Sequence, residues 1–486
     1  MIKRSYYTFV VMLFIVCTGQ VAAQVLQNKN TLPEIGVVAA NALSLDEEVA
    51  IGRLFFSQMR GQAGVLQDPV VNQYLQSIGN EMVIHAENTK FPFTFFMVNN
   101  PAINAFAFYG GHIGIHTGLL YHSDTEAELA SVLAHEIAHV TQRHLVRKKE
   151  AMEKTSPLQM ASLIGGALLM LASPQAGIAS IYAGQAGTLQ TALNHTRDHE
   201  READRIGMKI LADTGFDPFS AAAFFGKLLE QNRWGSTPPP FLLSHPLSQD
   251  RVAEARNRAE NLPRQNRPSS SMFYLVKARI HARYMLEAQV SLEYFSDRNI
   301  ESKWPVNAWA YGKAIAHMRL EQYAEANAIL QSLLKAEPEN FAYLDALTDV
   351  YIGLDNPSAA ITLLTPINQK IPNNAVVTLN LANAYLEAKH WDRSIEMLKD
   401  FLMIEPDHLL AQSLLSDAYT RSQQRLQMHQ SKAELYALMA MYPRAIDELQ
   451  YAFNFAEGHL TKQRIRARIE QFRSNQERMQ KIAKSI

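Results

Sequence analysis

One segment in the first half of the chain has apolar residues at every third or fourth position, the spacing of a helix with one buried face. This stripe consists of Leu129, Val132, Leu133, Ile137 and Val140. Ser123 and Glu126 stand three positions apart just upstream, as in a capping box. The pattern predicts an amphipathic helix that begins after Ser123.

The second half of the chain repeats small, aromatic and proline residues every 34 positions. The repeated positions are Ala326, Ala360 and Ser394, then Tyr351, Tyr385 and Tyr419, then Pro338, Pro372 and Pro406. A shifted frame follows, marked by Ala433, Tyr436, Tyr442 and Ala445. The period is typical of tetratricopeptide repeats, which are stacked helix pairs that bind other proteins. We expect four repeats, with degenerate helices over Met272–Phe295 before them and a capping helix over Leu460–Ile486 after them.

The N-terminus predicts export through the Sec pathway. Lys3 and Arg4 precede an apolar run over residues 6–17, and small residues ending at Ala23 allow cleavage before Gln24. The apolar run is too short to span a bilayer stably. We therefore expect a cleaved signal peptide and a mature protein outside the cytosol.

Composition adds limits on the chemistry. The single cysteine, Cys17, lies in the predicted signal peptide, so the mature chain would have neither disulfides nor thiolate metal ligands. A formal net charge of −1 gives no sign of nucleic-acid binding. We expect a signal peptide over residues 1–23, a first domain over 24–262, a linker over 263–271 and the repeat domain over 272–486.

An apolar segment over residues 158–172 resembles a membrane element in composition. Gln159 and Ser162 lie inside it and Pro174 follows soon after, so it falls short of the roughly eighteen apolar residues of a spanning helix. We expect a helical hairpin over residues 158–190 that packs on the first domain. The alternative is a peripheral contact with a membrane or a membrane-bound partner.

The predicted helix carries the sequence His135-Glu136-Ile137-Ala138-His139, which suggests a metal site. Residues four apart on a helix share one face, so His135 and His139 can bind one Zn²⁺ ion. Glu136 can then act as general base and take a proton from an attacking water. We predict a peptidase with one Zn²⁺ per chain. The alternative is an ordinary amphipathic helix with two partly buried histidines.

A zinc site needs a third protein ligand, and its identity separates the peptidase families. The metzincin pattern is excluded because Gln142 and Leu145 replace its glycine and histidine. We interpret His144 as a structural or surface residue. Glu200 and Asp204 lie four apart in a polar helical segment, so Glu200 can bind zinc while Asp204 orients a ligand imidazole. A solvated helix with charge pairs is the alternative.

These motifs, in this order, resemble the gluzincin endopeptidases that include the CAAX prenyl proteases and the heat-shock membrane protease HtpX. His-Glu-x-x-His is followed about sixty residues later by Glu-x-x-Ala-Asp, and two further stretches match: residues 104–120, and Ser244-His245-Pro246 with Arg251. The resemblance covers about residues 40–262. It implies an α+β zincin-type domain with a small sheet, so that the whole chain is mainly α and ends in an all-α repeat array.

The resemblance also assigns roles to the glycine-rich stretch and to His245. Approachable backbone groups suit a sheet edge that binds an extended substrate. The predicted substrate-binding residues are Gly111, His112, Ile113, Gly114 and Ile115. His245 could donate to the oxyanion of peptide hydrolysis, occupy a fourth zinc position and keep the enzyme latent, or pack beside Pro246. Arg251 is a candidate catalytic residue by its family position.

An exported, cysteine-free gluzincin joined to a repeat array resembles periplasmic quality-control proteases of Gram-negative bacteria. This resemblance implies an enzyme and assembly factor that degrades stalled or misfolded outer-membrane β-barrel proteins and contacts the barrel assembly machinery through its repeats. The residues themselves support a zinc endopeptidase with a protein-binding module. Two alternatives stay open, a scaffold or chaperone with latent proteolysis and a zinc-binding pseudoenzyme.

Overall fold

The computed structural model describes residues 43–62, 64–153, 186–234 and 239–485. The predicted signal peptide lies outside these residues, as does the hairpin predicted over residues 158–190 except for its last five positions. The chain from Leu45 onward forms one compact unit. It is mainly α-helical with one small sheet, as predicted. Among the described residues, no helix combines the length and the apolar character needed to cross a membrane.

The first half of the chain places helices around a three-stranded sheet. The helices are α1 (Leu45–Gln62), α2 (Pro69–Val83), α3 (Thr117–His122), α4 (Glu126–Thr141), α5 (His144–Glu153), α6 (Ala186–Asp213), α7 (Phe219–Trp234), α8 (Pro240–Ser244) and α9 (Gln249–Glu260). The strands are β1 (Thr94–Val98), β2 (Ala105–Phe108) and β3 (His112–His116). All five residues of the predicted apolar stripe on α4 are buried, which confirms the buried face of that helix.

The start of α4 differs from the prediction. Thr125 caps the helix, because its hydroxyl accepts a hydrogen bond from the backbone N–H of Glu128 at 3.2 Å. The hydroxyl of Ser123 instead donates to the carbonyl of Leu119 at 2.8 Å. The predicted capping pair of Ser123 and Glu126 is therefore wrong, and Thr125 is the N-cap residue of α4.

The sheet order is β1-β3-β2, so β3 is the central strand. It pairs in parallel with β1 and antiparallel with β2, and all five of its residues are buried. The prediction that the stretch from Gly111 to Ile115 forms a sheet edge is therefore wrong, because both sides of β3 are already hydrogen-bonded. The role predicted for Gly111, His112, Ile113, Gly114 and Ile115 in binding substrate stays a prediction. Within the described residues, the edge next to the α4 helix is β2.

The second half of the chain is an array of antiparallel helices. Its elements are α10 (Ser271–Arg279), a π-helical turn (Ile280–Met285), α11 (Ala288–Tyr294), α12 (Arg298–Glu301), α13 (Val306–Arg319), α14 (Tyr323–Ala336), α15 (Phe341–Gly353), α16 (Pro357–Lys370), α17 (Ala375–Glu387), α18 (Trp391–Ile404), α19 (Leu409–Arg421), α20 (Arg425–Leu438), α21 (Tyr442–Phe455) and α22 (His459–Ser485). The degenerate helices expected before the repeats are present as α10, the π-helical turn and α11.

Backbone geometry follows the 34-residue period. Left-handed residues that end the first helix of a pair recur at this spacing, with φ between 55° and 63°: Glu321, Asp355, Lys389 and Gln423. Ala326, Ala360 and Ser394 each lie fourth in the second helix and are fully buried. Ala445 is likewise fourth in α21 and fully buried. The break predicted directly after Tyr419 is not observed there, because Gln423 and the start of α20 at Arg425 still follow Lys389 and Trp391 by 34 residues.

A buried arginine joins the two halves. Arg279, at the end of α10, is 2% exposed and lies 2.6 Å from a carboxylate oxygen of Asp68 and 2.7 Å from one of Asp345. It also donates to the hydroxyl of Tyr311 at 2.8 Å. Asp68 in turn caps α2 by accepting the N–H groups of its first turn. The helices of the first half and the first helices of the array therefore share one core.

Candidate metal centre

The centre lies where α4 and α6 cross. The two helices pack closely because Gly207 on α6 has no side chain, and a Cβ there would lie 3.0 Å from the backbone nitrogen of His135. On α4, His135 and His139 are one turn apart and face α6. Glu200 lies two turns before Gly207 on α6 and faces them. Helical spacing on each element therefore brings the three predicted ligands together.

Four candidate ligand atoms converge on one point. The Nε2 atoms of His135 and His139 are 3.0 Å apart, and they lie 3.3 Å and 3.4 Å from the two carboxylate oxygens of Glu200. Nδ1 of His245 lies 3.1 Å from Glu200 Oε1 and 3.4 Å from His135 Nε2. All four ligand atoms lie within 4.8 Å of one another.

These separations fit a tetrahedral metal ion. Ligands about 2.0–2.1 Å from such an ion are about 3.4 Å from one another. The charge also fits, because three carboxylates are buried here, those of Glu136, Glu200 and Asp204, whereas the guanidinium of Arg251 contacts only the last two. Burial disfavours the charged form of His135, but its hydrogen bonds to Asp204 and Glu200 raise its pKa to about 10. The carboxylates thus favour a positive charge at this point.

Asp204 and Arg251 contact the predicted ligands on the side away from the convergence point. The carboxylate of Asp204 lies 3.1 Å from Nδ1 of His135, on the side of the ring that faces away from the convergence point. Arg251 binds both oxygens of Asp204 at 2.8 Å, contacts Glu200 at 3.1 Å and donates to the carbonyl of Pro246 at 2.6 Å. The structure places Arg251 as a buried support of the ligands.

Glu136 lies beside the ligands and is 1% exposed. The backbone N–H of Ala107 on the edge strand β2 hydrogen-bonds its carboxylate. Burial raises the pKa of Glu136, against the opposing charges of His245 and His135. A carboxylate whose pKa is raised toward neutrality is a better proton acceptor for hydrolysis at neutral pH. The edge strand and the candidate base are therefore directly connected.

His245 lies inside the cluster, at the end of α8. Its Nδ1 faces the ligand atoms, while its Nε2 lies 3.3 Å from Glu136 Oε1. The ring packs against Phe241 at 4.8 Å between centroids, and the residue is 7% exposed. Of the three roles considered for His245, the fourth ligand position is the one that this Nδ1 geometry fits. The imidazole stands between the ligands and the candidate base.

The sequence did not predict the environment of His144. This residue is 4% exposed, not on the surface, and its Nδ1 lies 2.9 Å from Nδ1 of His139. Its Nε2 lies 3.0 Å from Glu202, which Arg147 also binds at 2.7 Å. Burial lowers the pKa of His144 to about 4. A histidine five positions after a ligand is out of helical register with it, so spacing gave no signal.

Comparison with known proteins agrees with this geometry. Residues 69–259 match the model of peptidase family M48, and residues 351–418 match a tetratricopeptide repeat model. The chain is 40% identical over 472 residues to the beta-barrel assembly-enhancing protease of Escherichia coli (strain K12), with 96% of each chain covered. The chain belongs to the family of beta-barrel assembly-enhancing proteases.

Other relatives extend the comparison. A putative beta-barrel assembly-enhancing protease of Vibrio cholerae is 40% identical over 451 residues, which cover 92% of this chain and 93% of that one. The mitochondrial metalloendopeptidase OMA1 of Arabidopsis thaliana is 32% identical over 155 residues, or 32% of this chain and 29% of that one. The family assignment makes this protein a metalloendopeptidase with a tetratricopeptide array.

Proposed function

We propose that this metalloendopeptidase uses zinc and acts in the periplasm on outer-membrane β-barrel proteins that fail to assemble. The observation that carries the zinc assignment is the convergence of His135 Nε2, His139 Nε2 and the Glu200 carboxylate at 3.0–3.4 Å. Two imidazoles and one glutamate form the ligand set of catalytic zinc in several peptidases. The names of the full-length relatives support the β-barrel clients.

Each residue of the centre has a part in the proposed hydrolysis. A zinc ion held by His135, His139 and Glu200 would polarise the scissile carbonyl and lower the pKa of water. Glu136 accepts the proton of the attacking water and passes it to the leaving amine. A substrate strand bound along the β2 edge would lie next to Glu136, because the N–H of Ala107 already reaches that carboxylate.

We propose that His245 keeps the centre latent by occupying a fourth ligand position. Its Nδ1 lies among the ligand atoms and its Nε2 lies 3.3 Å from Glu136, so the imidazole fills the space that an attacking water needs. Catalytic zinc sites keep one position open, whereas closed four-ligand sites do not hydrolyse peptides. Activity would then require this side chain to rotate away.

The same observation supports a second function. An enzyme with a closed centre can bind clients on its array and assist their assembly without cutting them. We propose that the array contacts the barrel assembly machinery and clients through the concave face of its repeats. A peripheral contact with the membrane through residues 158–190 stays a hypothesis, because that segment lies outside the described residues except at its end.

Substitution Glu136→Gln tests the assignment. The variant should bind one zinc ion as the wild type does, measured by metal analysis, while its cleavage of an unfolded β-barrel substrate falls by at least about 100-fold. Glu254→Gln, a partly exposed position on α9, is the matched control and should leave cleavage unchanged. Wild-type protein without bound zinc, or full cleavage by Glu136→Gln, would refute the proposed chemistry.

The client assignment needs a separate experiment. The Glu136→Gln protein expressed in the periplasm should retain clients that the wild type degrades, and mass spectrometry of co-purified proteins should show outer-membrane β-barrels enriched among them. Enrichment of other proteins in their place would contradict the proposed substrate class while leaving the peptidase chemistry intact.

A further inference from the structure

The second ligand histidine has a support that differs from that of the first. Nδ1 of His139, on the side of the ring away from the ligand cluster, lies 2.9 Å from Nδ1 of His144. The other ring nitrogen of His144 lies 3.0 Å from a carboxylate oxygen of Glu202, and Arg147 binds the same oxygen at 2.7 Å. A continuous line of polar contacts therefore runs from His139 through His144 to the ion pair of Glu202 and Arg147.

The backbone places His144 for this contact. Arg143 adopts a left-handed conformation with φ of 51°, which ends α4 and lets α5 begin at His144 in a new direction. The His144 ring then stacks on His199 of α6, with centroids 4.4 Å apart and an angle of 11° between the planes. Packing on α6 and the chain reversal both fix the ring, so its orientation toward His139 is built into the fold.

The protons in this line can be assigned from donor and acceptor roles. A histidine that binds a metal through Nε2 carries its proton on Nδ1, so His139 must donate to His144. Nδ1 of His144 must then accept, which leaves its proton on Nε2. That proton points to Glu202, whose carboxylate accepts it together with a proton of Arg147. A single arrangement of protons satisfies every contact, and His144 is neutral in it.

We propose that His144 is a positioning residue that fixes the ring orientation and tautomer of His139 for metal binding, with Glu202 and Arg147 fixing His144 in turn. The inference rests on the proposed function, because it assumes that zinc binds at His139. The inference assigns a part in zinc binding to His144, which is not itself one of the predicted ligands. Partners of this kind typically change metal affinity by about 10- to 100-fold.

Two substitutions separate hydrogen bonding from packing. His144→Phe keeps a ring to stack on His199 but removes both nitrogens. His144→Gln removes the ring but offers an amide oxygen toward His139 and an amide nitrogen toward Glu202. We expect His144→Phe to lower zinc affinity by about 10- to 100-fold, measured by competition with a chelator of known affinity. His144→Gln should retain most of the wild-type affinity.

A matched control tests for a general effect of a lost buried histidine. His281 is 5% exposed and its ring stacks on Tyr121, with centroids 4.1 Å apart, in the π-helical turn of the array. His281→Phe should leave zinc affinity unchanged. Thermal unfolding of all variants in the presence of excess chelator reports their folding independently of the metal.

The outcomes distinguish the proposals. Wild-type zinc affinity in His144→Phe would overturn the inference while leaving the zinc site itself in place. Equal losses in His144→Phe and His144→Gln would show that restoring a donor and an acceptor does not restore zinc binding, and would also overturn the inference. If His144→Phe does not fold, Glu202→Gln replaces it, and a zinc affinity equal to that of wild type would refute the line of contacts. A wild-type protein that binds no zinc would overturn both proposals.

Discussion

Replacing Arg279 with methionine should destabilise the whole protein. The guanidinium is 2% exposed and pairs with Asp68 and Asp345, whose side chains are 1% and 6% exposed. Methionine would leave both carboxylates buried without their cation, and Tyr311 would lose its donor. Breaking a buried ion pair on one side costs about 3–5 kcal/mol. Because two carboxylates, those of Asp68 and Asp345, lose their cation, we expect Arg279→Met to lower the free energy of unfolding by about 5 kcal/mol. This is a large share of the total stability of a typical domain.

The assay is urea unfolding followed by circular dichroism, with the free energy of unfolding compared at pH 7. Arg283→Met is the matched control, because that arginine lies four residues away and pairs with Asp349 at 3.5 Å with both side chains more than one third exposed. Its loss should cost less than about 1 kcal/mol. A cost below about 1 kcal/mol for Arg279→Met would refute the reasoning.

The pH dependence gives a second check on Arg279→Met. Burial alone would raise the pKa of Asp68, but the charge of Arg279 and its hydrogen bond lower that pKa below the ordinary value. A depressed carboxyl pKa contributes stability that is complete above about pH 4 and is lost as the pH falls through the folded-state value. Without Arg279, burial raises the pKa of Asp68, so the folded variant takes up a proton at a pH above about 4 at which the folded wild type does not. The difference between wild type and variant should therefore shrink steadily as the pH falls from about 7. A difference that is independent of pH would contradict the assignment.

Three further predictions concern other sites. Gly207→Ala should lower zinc affinity about tenfold and also lower the melting temperature, because its Cβ would lie 3.0 Å from the backbone of His135 and force α4 and α6 apart. Arg251→Met should cost about 3–5 kcal/mol in urea unfolding, because it strands the buried carboxylate of Asp204, and a cost near zero would contradict this. Partial burial and the neighbouring carboxylate of Asp345 raise the pKa of Asp349 to about 6, so its contribution to stability falls as the pH rises from about 4 to 6. Melting temperatures of Asp349→Asn at pH 4 and pH 7 should show a gain over wild type at pH 7 only.

Helical spacing predicted which side chains come together in the candidate metal centre, because the predicted ligands lie on helices. His135 and His139 share a face of α4, and Glu200 and Asp204 share a face of α6. Each pair is fixed by the geometry of one helix, so no knowledge of the tertiary fold was needed to group them. The repeat period was equally local and predicted the array.

Non-local pairing accounts for what the sequence could not predict. Whether β3 is an edge strand or the central strand depends on its pairing with β1, and β2 lies between these two strands in the chain. The placement of His144 beside His139 depends on the left-handed conformation of Arg143. No glycine occupies this position to indicate the turn in the sequence. Both cases require the tertiary fold, since no periodicity in the chain distinguishes the alternatives.

Both candidate ligand histidines are connected to a carboxylate that an arginine also binds. For His135 the connection is direct, through Asp204 to Arg251. For His139 it passes through the neutral ring of His144 before it reaches a carboxylate. The two imidazoles are thus fixed by protein contacts on the side away from the ligand cluster, and fixed ligands lose little conformational entropy when they bind. The direct carboxylate makes His135 the more basic ligand, so loss of Asp204 should weaken zinc binding more than loss of His144.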